Sequence, residues 1–279
     1  MAGFSLFSQF FGFFCLCAPN IYKAFPPCYN EITQGGVFMW EISEVKERAR
    51  SVLSRFGYWM PFLATIIVGF FATNPANIVS ILTEDLDTAS ILENEEYLSF
   101  LTAFIPLLLI FSFVWNTFIG YPLMVGMNRF FMENRLFGSK IESLFWVFKS
   151  GGYLNIVKTM FLLNLKVLLW SFLFIIPGII KSYEYFMVPY ILAENPKISS
   201  KRAFELSKEM TRDEKFDIFL LGLSFIGWII LGSITCGIGL LFLEPYVQAT
   251  YAELYQVERE KVHSRNISDF EELPGFLRE

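Results

Sequence analysis

The chain is short of the residues on which most enzyme sites are built. It has one histidine, His263, and four cysteines, of which Cys15, Cys17 and Cys28 lie in the first forty residues and Cys236 stands alone in the body. A Cys-x-Cys pair with no second His/Cys cluster supplies neither a zinc-ligand set nor a disulfide framework. No nucleophile–base pairing and no glycine-rich phosphate loop ending in Lys-Ser/Thr is present. Catalytic and metal-ligating residues are therefore not assigned, and no cofactor is expected. Basic residues are missing from one stretch altogether: Asn74 to Glu96 carries six acidic residues and no lysine or arginine. Without a basic domain, and with an acidic C-terminal stretch, nucleic acid is excluded as a partner.

What the chain has in excess is apolar surface. Of 279 residues, 54% are hydrophobic and 18% aromatic, with a mean hydropathy of +0.47. That exceeds the needs of a soluble core. Six apolar runs recur, at Phe56–Thr73, Phe100–Ile119, Ile156–Ile176, Gly178–Ala193, Phe216–Ile234 and Ile238–Ala252. About 20 helical residues cross a ~30 Å hydrocarbon layer, so the expectation is an all-α, polytopic membrane bundle of about six transmembrane helices. The fourth run is short and carries two charges, which makes a re-entrant segment its competitor.

Charge sets the orientation. Lys46, Arg48, Arg50 and Arg55 precede the first run, and basic residues cluster again at 129–158 and 197–215. Under the positive-inside rule these segments face the cytoplasm and the acidic 74–96 loop faces out, which places both termini inside.

Three segments share one plan: RARSVLSRFGYWMPFLATIIV from 48, SLFWVFKSGGYLNIVKTMFLL from 143 and RAFELSKEMTRDEKFDIFLLGL from 202. Each reads as an amphipathic helix, a polar or glycine break, and an apolar helix. This predicts three hairpin repeats, each preceded by an amphipathic helix. In the third copy Ala203, Leu206 and Met210 share one face. The short tether to a span favours placing that face in the acyl boundary, with lysines toward anionic headgroups, over packing it against protein.

Residues 1–38 are expected to be an upstream extension outside the native protein, because Gln34-Gly35-Gly36 can be encoded by a ribosome-binding sequence just before Met39. The alternatives are a signal peptide, which would lack its basic n-region, or an extra anchor. Residues 39–257 then form the membrane domain and 258–279 a cytoplasmic acidic tail.

IIPGIIKSYEYFMVPYILAENPKIS from 175, AFELSKEM from 203 and LSFIGWIILGSITCGIGLLFLEPYVQATYAELY from 223 resemble the bacterial integral-membrane family described as domain of unknown function 975. The resemblance covers approximately Met39 to Tyr255. It implies a bacterial plasma membrane and no established activity.

Four charges fall well inside the apolar runs, beyond the first turn of each: Lys166, Lys181, Glu184 and Glu244. A charge at the bilayer centre costs about 2.5–3.5 kcal/mol even on lenient scales, so these groups should face one another or water. Lys181 and Glu184 are three residues apart and can pair on one helix face, and Lys166 and Glu244 can meet if the repeats pack as a ring. The four form either a polar site between repeats or structural ties. Taken together, these features predict a non-enzymatic membrane organisation, assembly or envelope-stress accessory protein. It would act through the lipid bilayer, anionic lipids at the amphipathic helices and protein partners not identified by the sequence. A small-solute or lipid transporter is the rival.

Overall fold

A computed structural model describes residues 40–72, 95–138, 140–235 and 237–276, with the side chains of 95–103 left aside. The expectations for residues 1–38, for nearly all of the acidic loop and for Cys236 lie outside the described residues. All regular structure in the described part is helical.

The order is α1 (Ile42–Phe56), α2 (Trp59–Ala72), α3 (Glu95–Trp115), α4 (Tyr121–Phe137), α5 (Trp146–Lys149), α6 (Tyr153–Leu173), α7 (Ile175–Glu184), α8 (Val188–Glu194), α9 (Ser200–Met210), α10 (Lys215–Leu223), α11 (Ile226–Ile234) and α12 (Ile238–Ser264). A π-helical turn at Asn116–Gly120 joins α3 to α4, and a 3-10 turn at Ile141–Phe145 leads into α5.

Among the described residues three helical rods are long and apolar enough to cross a membrane: Phe104–Phe137, Tyr153–Leu173 and Lys215–Ile234. A fourth is possible if α1 and α2, bent by 105° at their junction, count as one. Gly57 makes that bend with a φ of +88°, a conformation that favours glycine. Against the six crossings expected, helix length and composition among the described residues provide three or four. The fourth apolar run breaks into α7 and α8, and α7 has only 10 residues, about 15 Å of helix. The sixth run becomes the start of the 27-residue α12, whose later turns are charged.

The rods divide along their length. Their apolar ends stand exposed, with Leu107, Ile110, Phe172, Phe174, Ile230 and Ile234 all uncovered. Their other ends enter a packed body containing Leu123, Phe130, Ile156, Met160, Leu206 and Leu254. The middle hairpin, α6–α7, closes tightly because Gly178 lies against Ser171, where a Cβ would come within 2.7 Å of the Ser171 Cα.

The amphipathic helices differ from the sequence expectation. Ala203, Leu206 and Met210 of α9 are completely covered by protein, as are Val45 and Ala49 of α1. Their apolar stripes face α12 and its neighbours rather than acyl chains. The sequence period is the same in either case, since 3.6 residues per turn sets the stripe whatever covers it. Ser199 caps α9 by accepting a hydrogen bond from the Arg202 backbone N–H.

The segment expected as an acidic tail continues α12 to Ser264 and then folds back. Arg202 donates to both carboxylate oxygens of Glu272 at 2.8 Å and to the Ile267 carbonyl at 2.7 Å. The Gly275 backbone N–H donates to Glu194, and Leu273 is fully buried. Arg202→Gln removes the bidentate contact. Because both side chains are about one-third exposed, the expected cost is about 1 kcal/mol. Limited proteolysis should then cut within residues 265–276 about fivefold faster than in the parent; an unchanged rate would show that burial of Leu273 alone holds the segment.

Candidate functional site

Glu184 ends α7, and the chain then turns through Tyr185–Met187 before α8. A broken helix beside lipid must satisfy its freed backbone groups internally. Ser207 of α9 does so, donating to the Glu184 carbonyl at 2.8 Å and accepting from the Met187 N–H at 3.2 Å. The Glu184 carboxylate is buried and takes two cations, Lys181 at 2.8 Å and Lys215 at 3.1 Å. Lys181 is the neighbour that i,i+3 spacing brings to the same face. Lys215 comes from the start of α10, 31 residues away, and only packing brings it there.

The two remaining charges go elsewhere. The Lys166 ammonium lies 3.7 Å from the centroid of the Phe204 ring and 5.6 Å from that of Tyr185. Glu244 accepts a hydrogen bond from Gln248, one turn later on the same helix, at 2.7 Å. Lys166 and Glu244 therefore do not pair, because α9 and Tyr185 fill the position beside Lys166.

The body holds further charge clusters that the sequence reading missed. Glu194, at the end of α8, accepts from the Tyr255 hydroxyl at 2.6 Å and the Gly275 N–H at 2.6 Å, and faces Arg259 at 3.3 Å. Arg135 of α4 holds Glu253 of α12 at 2.9 Å from both oxygens. Lys261, with a side chain 1% exposed, donates to Glu214 at 2.8 Å and to the Met210 carbonyl, and contacts Glu258. Burial pushes the Glu258 carboxyl well above the usual carboxylate range. A hydrogen bond with Glu214 acts in the same direction, against the pull of Lys261. Only the Glu258–Lys261 spacing was visible locally; the other partners lie tens of residues apart.

Among the described residues no group of three His, Cys, Asp or Glu side chains is placed to hold a metal ion. The arrangement ties helices together: cations from one element close on carboxylates of another.

The fold and these clusters define an all-helical protein with helices long and apolar enough to cross a membrane. Residues 174–261, which run from α7 into α12 and contain the Glu184 cluster, match the family model described as "Protein of unknown function (DUF975)". No curated protein and no solved structure matches the chain.

Proposed function

We propose that this is a non-enzymatic accessory protein of a bacterial plasma membrane, assisting envelope organisation, assembly or stress tolerance through lipid and protein contacts. Its apolar segments enter the bilayer as three hairpin repeats, each preceded by an amphipathic helix, with both termini on the cytoplasmic side. One observation carries the reading. All four buried glutamates among the described residues, Glu184, Glu194, Glu253 and Glu258, are engaged by cations that tie separate helices or successive turns. Carboxylates held in this way fix the packing of a body at the membrane surface.

The rival reading, a small-solute or lipid transporter with a polar site between repeats, draws on Lys166 and Glu244, neither of which forms an ion pair among the described residues. Glu184→Ala in the full-length protein separates the two. It removes the shared partner of Lys181 and Lys215, so the expected result is a thermal midpoint lower by several degrees, with the solute leak of reconstituted vesicles unchanged. An unaltered midpoint with lost solute flux would overturn the accessory reading in favour of transport.

A further inference from the structure

The α6–α7 hairpin is shallow for its place in the bundle. Lys166 lies eight residues before its turn at Phe174, and Lys181 lies seven after it. At 1.5 Å per residue both lysines are about 10–12 Å from the tip. The hydrocarbon layer is about 30 Å thick. If the hairpin crossed fully, both lysines would lie deep in hydrocarbon. If the lysines sit at the inner interface, the tip reaches roughly the midplane and every charge on the hairpin stays near the headgroups. The second placement avoids the cost of burying them. The uncovered apolar side chains fit it, since Phe172, Phe174, Ile175 and Ile176 crowd the tip and Phe172 is 92% exposed.

At the base of this hairpin three ammonium groups converge from three helices. Lys181 and Lys215 share the single carboxylate of Glu184. Lys166 has only aromatic rings as partners among the described residues. The Lys166 and Lys181 ammoniums lie 5.6 Å and 5.8 Å from the centroid of the same Tyr185 ring. One carboxylate against three lysines leaves an excess of two positive charges. Just toward the tip lie exposed Leu168, Leu169 and Ile180. An anion with two acyl chains matches this pattern, with cations at headgroup level and apolar surface directly beneath.

We propose that Lys166, Lys181 and Lys215 bind the phosphate headgroup of an anionic phospholipid at the base of a re-entrant α6–α7 hairpin. Phosphate oxygens accept from the ammonium groups, Glu184 holds Lys181 and Lys215 in place, and the acyl chains lie along the hairpin. The proposal rests on the membrane reading above.

The test is native mass spectrometry of the full-length protein released from nanodiscs of phosphatidylglycerol or of phosphatidylcholine. The parent should retain phosphatidylglycerol in preference to phosphatidylcholine. Lys166→Met should lower that retention about five- to tenfold with at most a small shift of the thermal midpoint, because it breaks no ion pair and loses only ring contacts. Lys166→Arg should restore it. Lys215→Met provides a second loss variant from a different helix. Equal retention by the parent and by both folded methionine variants, or equal retention of the two lipids, would overturn the site. Full displacement by millimolar inorganic phosphate would overturn the lipid assignment in favour of free phosphate. Release of the parent from membranes by an alkaline carbonate wash would instead overturn the membrane reading itself.

Discussion

Lys261→Met is expected to lower the unfolding free energy by about 3–5 kcal/mol, the usual cost of removing one partner from a buried ionic cluster. Whole domains are stable by only about 5–15 kcal/mol, so this variant should melt far below the parent in detergent, followed by circular dichroism. The reason lies in where the ammonium sits. Its side chain is 1% exposed, and it balances Glu214 and Glu258 while donating to the Met210 carbonyl at the end of α9. Methionine fills the volume but leaves Glu214 without its countercharge. The three groups stay neutral as a set when one carboxyl keeps its proton, and Glu258 is the one whose affinity for a proton is raised, chiefly by burial.

This gives the cluster a signed dependence on pH. The folded protein holds a proton on Glu258 that the unfolded chain releases near the ordinary glutamate value of about 4.3. The stabilisation is fully present below that value. It is lost as pH rises from there toward the raised folded value, because folding then requires uptake of a proton. Glu258→Gln keeps the shape without the ionisation and should flatten the stability profile over that interval. A parent profile equally flat through neutral pH would refute the shared-proton account.

Gly126→Val is also expected to be strongly destabilising, for a steric reason. Gly126 lies in α4 where the 3-10 turn at Ile141–Phe145 crosses it, and an added Cβ would stand 2.0 Å from the Leu144 carbonyl oxygen. That neighbour is backbone and cannot swing aside as a long side chain would. Leu144 on this turn and Val147 in the α5 that follows are both fully buried, so relief requires opening the core. Overpacking of this kind costs about 1–3 kcal/mol and sometimes more. Gly126→Ala is the sharper diagnostic. In an open helix it would stabilise by about 1 kcal/mol through propensity, whereas here it should lower the thermal midpoint. A raised midpoint would show that the crossing is looser than the 2.0 Å approach implies.

Several features of the candidate site were readable in advance, and each is local. The pairing of Lys181 with Glu184 follows from three-residue spacing on a helix. The stripe formed by Ala203, Leu206 and Met210 follows from helical period. The charges themselves stood out because apolar runs seldom carry any. The features that could not be read are those linking distant residues. Lys215 reaches Glu184 across 31 residues, Arg135 reaches Glu253 across 118, and Gly275 reaches Glu194 across 81. Lys166 and Glu244 were natural partners by charge alone, yet the Phe204 ring occupies the place beside Lys166.

By itself the sequence determined that the chain is helical, that it carries membrane-length apolar segments, and that Ala203, Leu206 and Met210 form the apolar face of α9. Those properties depend on composition and on a repeat of 3.6 residues, both of which are written locally. Only the tertiary structure decided what covers each face, where the fourth apolar run breaks, and that residues 265–276 fold back onto the body. A stripe of leucines carries the same pattern whether lipid or protein lies against it. The choice depends on which other helix presents a complementary surface, and that follows from packing and from ion pairs between residues far apart in the chain.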